Sequence, residues 1–213
     1  MQKSLLATAI VASLAAASAH AANPPPLQLL PAPLTVTVAP DSVTYTFAAL
    51  SLDGFQFSQL VGPLSGFVTG TLTGVSVNAT LDASVDYTYA DDLTVYVDLA
   101  PLSTGGLLQI GGFSDLGALE RHTWANGGSS APGTTVIDTV ALSTPITFAG
   151  TAADPNVWLG NGYGAEGTNG TWTGSITLTI SAVPEPSTWA LFALGGIGLM
   201  GWSAKRRREA DRH

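Results

Sequence analysis

The 213 residues suffice for an export signal, one domain of ordinary size and a tail, and only 10% of them are charged, while 24 are Gly and 13 are Pro, a mixture suited to β-strands and tight turns rather than long amphipathic helices. Between Asn23 and Val183 twelve Asp and Glu face Arg121 alone, a net charge of about −11 that repels phosphate backbones and excludes nucleic acid as a partner. The absence of Cys removes disulfides, thiolate metal sites and Cys nucleophiles together, so the fold must hold by packing.

The N-terminus has Lys3, an apolar stretch from Leu5 to Ala17, and then Ala19-His20-Ala21. Small residues at Ala19 and Ala21 fit the two positions that signal peptidase must accommodate, so residues 1–21 are expected to be a cleaved signal peptide. In residues 22–33, Pro24-Pro25-Pro26 and Pro31-Ala32-Pro33 fix φ and remove donors, which predicts an extended linker.

From Leu34 onward the apolar positions recur with a period of two. Leu34 to Val38 and Ser42 to Phe47 read as the first strands. Val75, Val77, Ala79 and Leu81 give the next one an apolar face, and Leu93, Val95, Val97 and Leu99 do the same further on. Shorter candidates are Leu107 to Ile110, Thr134 to Val140 and Ile146 to Phe148, and Ile176, Leu178 and Ile180 close the series. Gly105-Gly106, Gly111-Gly112, Asn126-Gly127-Gly128 and Asn161-Gly162 mark turns between them. Short strands with one apolar face each predict an all-β, two-sheet β-sandwich of jelly-roll type over residues 34–182.

Loosely, Gly70 to Ile180 also resembles the jelly-roll P-domain that accompanies subtilisin-like proteases. The matching residues are Val75-Ser76-Val77, Tyr89 to Val95, Leu108-Gln109-Ile110 and Gly170 to Leu178. The chain departs from that family in its length between Asp115 and Ile146 and in lacking the acidic residue that often follows the last strand.

At the other end, Ser187 to Ala204 is an uncharged run of 18 residues, long enough at about 1.5 Å per residue for a single transmembrane helix. Trp189 and Trp202 stand near its ends, where amphipathic rings favour the interface, and Lys205-Arg206-Arg207-Arg208 would hold that side in the cytoplasm. Directly before the run comes Val183-Pro184-Glu185-Pro186, whose two prolines keep Glu185 extended and present its carboxylate on a stiff stalk. The ordered combination over residues 183–208 resembles the PEP-CTERM sorting domain of Gram-negative exported proteins; residues 209–213 are a tail. The resemblance implies an exosortase-type membrane protease as partner, cleavage near Pro184 to Pro186, transient inner-membrane anchoring, and delivery to the cell surface or an exopolysaccharide matrix. A plain single-span anchor on a rigid stalk is the alternative.

The exported part has His122 as its only imidazole and no Lys. That leaves nothing for a His-rich zinc site, a Schiff base or a Lys-dependent phosphate loop, and no Gly-x-Ser-x-Gly elbow accompanies His122. Asp91-Asp92 enters a strand, and adjacent acids repel unless a cation lies between them. The P-domain resemblance puts Asp92 where a calcium-binding Asp is common and Asp115 as a plausible partner, so Asp91, Asp92 and Asp115 are candidate calcium ligands, with ordinary turn acids as the alternative; no other cofactor is implied. Trp158 and Tyr163 flank a Gly-rich loop and are the candidates for stacking on carbohydrate, whereas Trp172 in an apolar strand is expected in the core. The expected function is that of an exported, non-catalytic surface or extracellular-matrix protein with a structural or adhesive sandwich. Its rivals are a calcium-stabilised carbohydrate-binding module and a glycoside hydrolase using an acid pair drawn from the domain's ten central Asp and Glu residues, Asp82 to Glu166.

Overall fold

The structure is a computed structural model that describes residues 34–99, 105–165 and 167–181. The predicted signal peptide, Pro-rich linker, sorting motif, transmembrane helix and basic cluster, together with Glu166, lie outside the described residues.

Ten strands form two five-stranded sheets. They are β1 (Thr35–Ala39), β2 (Ser42–Asp53), β3 (Phe57–Val61), β4 (Thr69–Val85), β5 (Leu93–Asp98), β6 (Leu108–Ile110), β7 (Glu120–His122), β8 (Thr135–Ala149), β9 (Asn156–Asn161) and β10 (Asn169–Ser181). One sheet has the order β1-β2-β10-β4-β8 and the other β3-β9-β5-β6-β7. All pairings are antiparallel except β6 with β7. Without the outer strands β1 and β7, the chain wraps four strands against four, crossing between sheets at β2–β3, β3–β4, β4–β5, β6–β8, β8–β9 and β9–β10. That wiring is a jelly roll, as the alternation predicted.

The core lies between the sheets, where Val75, Val77, Ala79 and Leu81 of β4 and Ile176 and Leu178 of β10 meet Leu93, Val95 and Val97 of β5 and Val157 and Leu159 of β9. Trp172 is fully buried and donates from Nε1 to the Ala90 carbonyl at 3.1 Å. Opposite it, Trp124 donates to the Leu93 carbonyl at 2.7 Å. Each indole thus fills volume and satisfies its one donor.

The strands β3, β7 and β9 were not legible as alternation. Every residue of β3 and β9 is buried, because loops cover the outer face of their sheet as well as the core covering the inner one, and a strand buried on both sides need not keep a polar period. On that outer face Phe57, Tyr96 and Trp158 make a second apolar cluster, capped by Phe55, Leu116 and Ala118. Phe57 and Tyr96 meet edge to face with centroids 6.4 Å apart. In β8 the two predicted strands fuse. Between Ala141 and Ile146 the ladder to β4 is interrupted, which accommodates Pro145 in an edge strand that needs no donor there.

The outer face of the other sheet is a hydroxyl lattice. Thr44 and Thr177 meet across strands at 2.9 Å, and Thr139 donates to Ser76 at 3.0 Å. Such hydroxyl pairs suit an exposed pleated surface and leave it polar but nearly uncharged.

Candidate functional site

At one end of the sandwich three segments converge: residues 86–92, where β4 turns through a single 3-10 turn (Ala90–Asp92) into β5; residues 111–115, after β6; and residues 162–165, after β9. Asp92 ties them together. Its residue is 3% exposed, and its carboxylate accepts from the Tyr89 amide at 2.7 Å and the Phe113 amide at 3.1 Å. Its carbonyl accepts from the Gly162 amide and from the Thr94 hydroxyl, while the Asp91 carbonyl accepts from the Gly112 amide. Ser114 then links the other two segments, donating from its amide to Gly162 and accepting the Gly164 amide on Oγ.

Burial pushes the Asp92 carboxyl up to about 6; the two amide bonds oppose that rise and the neighbouring Asp91 charge adds to it. Asp91 is raised as well, chiefly by burial. Gly111 belongs to this architecture: its φ of +79° favours glycine, and a Cβ there would run into the Trp124 indole and the Leu93 carbonyl.

The three acids named as candidate calcium ligands are not gathered around one point. Each Asp92 carboxylate oxygen accepts one backbone amide, and Asp115 turns to the Gly117 amide at 2.8 Å and stands 3.9 Å from the Arg121 guanidinium. Among the described residues no group of three His, Asp or Glu side chains is placed to hold a metal ion. The adjacent acids that suggested a cation instead have separate duties, one buried as a clasp for loops and the other lining a surface depression.

Trp158 also needs correcting as a sugar-stacking residue. It is 1% exposed and lies under Leu116 and Ala118 in the outer-face cluster, so its ring has no open face to offer. Tyr163 does reach the surface, edge to face with Phe113 at 5.9 Å. Sequence reasoning missed the residues around it. Tyr87 and Phe113 are 75% and 76% exposed, Tyr89 is 41% exposed, and all three line the same depressions as Asp92. They come from loops with no periodicity, and only the tertiary convergence makes them neighbours.

A second polar junction lies at β7. Glu120 accepts from the Ser143 and Thr144 amides at 2.7 and 2.9 Å, and contacts His122 Nε2 at 2.7 Å. Burial would push Glu120 up, yet the bonds from His122, Ser143 and Thr144 outweigh it and hold the carboxyl below its ordinary value. The amides released where β8 leaves its ladder are thus taken up by the facing sheet.

Compared with known protein families, residues 182–208 match the PEP-CTERM protein-sorting motif. No curated protein and no solved structure matches the chain. The motif stands on the Val183-Pro184-Glu185-Pro186 stalk, apolar run and basic block read from the sequence. Residues 182–208 are therefore a PEP-CTERM sorting motif, which implies export, a membrane-anchored C-terminal signal and processing by an exosortase-type membrane protein.

Proposed function

We infer that the jelly roll is a non-catalytic module of the cell surface or extracellular matrix, structural or adhesive in role, delivered there once signal peptidase and the exosortase-type protein have processed the two ends. The observation that carries this reading is a sorting signal joined to a sandwich whose acids serve its own backbone. Asp92, Glu120, Asp138 and Asp154 each accept two or more main-chain amides, which fits acids that hold turns and strand breaks in place rather than a facing pair poised to hydrolyse a glycoside. The hydroxyl lattice of Thr44, Thr177, Thr139 and Ser76 supports the same reading, because an uncharged polar face stays hydrated among polysaccharide chains without gathering counterions.

The test is mass spectrometry of the mature C-terminus from the native host, combined with fractionation. A terminus near Pro184 to Pro186 on protein recovered with the outer envelope or exopolysaccharide is expected. An intact Arg208 in the inner membrane would reduce the tail to a plain anchor. Processed protein free in the medium, associated with neither envelope nor polysaccharide, would remove the structural and adhesive role.

A further inference from the structure

Four aromatic rings gather at the loop end of the sandwich. Tyr87, Tyr89, Phe113 and Tyr163 line one depression of about 170 Å³ with Asp92. A neighbouring depression of about 240 Å³ shares Tyr89, Asp92 and Phe113 and adds Asp91 and Arg121. The two depressions adjoin at Tyr89, Asp92 and Phe113 and together make one composite groove, with aromatic rings on one side and a carboxylate and a guanidinium on the other.

The rings are displayed at a cost. Asp86 and Tyr87 both take the left-handed conformation, with φ of +50° and +65°. Neither is glycine, and a bulky residue is strained there. That turn directs Tyr87, 75% exposed, away from the core. Phe113 is held by its amide on the buried Asp92 carboxylate, and its ring packs edge to face with Tyr163. The groove is thus preformed by backbone bonds rather than by contacts between the rings alone, which lowers the ordering cost of binding.

Arg121, the single cation between Asn23 and Val183, stands in this groove. Its NH2 group donates to the Gly112 and Phe113 carbonyls at 3.3 and 3.1 Å. A guanidinium has five N–H donors in a planar fork, so the group is oriented and retains donors for a ligand.

We propose that this groove binds a neutral polysaccharide, stacking pyranose rings on Tyr87, Phe113 and Tyr163 and taking their hydroxyls on Asp91 and Arg121. The inference rests on the surface or matrix reading and gives it a ligand class. Each part of the groove matches a part of a sugar: aromatic faces meet the C–H side of a pyranose, while a carboxylate accepts from adjacent hydroxyls and a guanidinium donates to ring and hydroxyl oxygens. A lipid or apolar helix would desolvate Asp91 and Arg121 without pairing them. An anionic polymer would meet the domain's net charge of about −11.

The test uses the mature protein from the native host and its Tyr87→Ala, Phe113→Ala double variant, run by affinity electrophoresis through gels containing galactomannan, xyloglucan, a mixed-linkage β-glucan, or polygalacturonate, with an octaproline peptide titrated separately. Retardation by at least one neutral polymer is expected, together with a loss of affinity of at least tenfold in the double variant. A Val38→Ser control on the exposed strand β1 should bind as the parent does. The two aromatic side chains are exposed, so an unchanged melting temperature separates lost binding from lost folding. The proposal is overturned if none of the neutral polymers retards the parent, if the double variant binds equally well, or if polygalacturonate or octaproline is the ligand taken. Processing and delivery of the double variant are read independently from its C-terminus, so failure of sugar binding is distinguishable from failure of the surface reading.

Discussion

Asp92 shows how a single side chain can be misread from its neighbours in sequence. Next to Asp91 it suggests a cation, but folding removes it from water and gives its oxygens to two amides. An acid raised to about 6 from an ordinary 3.8 keeps its proton in the folded chain where the unfolded chain has lost it. Its contribution to stability is therefore complete below about pH 4 and is lost as pH rises through about 6, a change of at most about 3 kcal/mol. Urea unfolding at pH 4.5 and pH 7 should show this loss towards pH 7 in the parent and not in Asp92→Asn. At pH 7 the Asn variant should also lose about 1–3 kcal/mol, because its amide nitrogen cannot accept from a backbone N–H. Glu120 runs the other way: its lowered value contributes stability above its ordinary 4.5 that is lost as pH falls through the folded value. Trp172 is simpler. Fully buried and bonded to Ala90, it should cost about 3–5 kcal/mol when truncated to Ala, measured as a shift of the denaturation midpoint.

At the level of elements, the interruptions in the ladders carry as much information as the ladders. Across β2 and β10, Trp172 pairs with Leu50 and Gly174 with Phe47, so Ala48 and Ala49 oppose Thr173 alone. Ala49 accordingly takes a φ of +49°, and its amide is caught by the Thr173 hydroxyl at 2.9 Å. Beside this bulge, Gly174 has a φ of +156° and no room for a Cβ against the Asn78 carbonyl and Ala79. Gly174→Ala should destabilise by more than about 1 kcal/mol in thermal melts despite adding only a methyl group. The break in β8 is bridged by Glu120, and Glu120→Ala should cost about 1–2 kcal/mol at pH 7, since two amides lose their acceptor. The alternation of β4, β5 and β10 was readable because residues on their inner faces recur every second position. In β3 and β9 it was not, because Phe57 and Trp158 are buried on the side that sequence patterning assigns to water.

For the whole molecule, destination and fold are specified by different kinds of signal. Replacing Pro184, Glu185 and Pro186 together with Ala should leave the chain exported and unprocessed, detected as a full-length band in the inner-membrane fraction. The sequence alone determined the sorting motif, the all-β class, the exclusion of thiol chemistry and the acidic character of the exported part. Each of these is local or additive: a contiguous tail, a period of two, a count of residue types. Tertiary structure decided which acids became clasps, which tryptophans became core and which loops became neighbours. Tyr87, Phe113 and Tyr163 lie 26 and 50 residues apart in the chain, and only the crossing of strands between two sheets brings them to one groove. A pairing created by topology leaves no period or motif in the sequence, which is why the sorting signal was legible there and the groove was not.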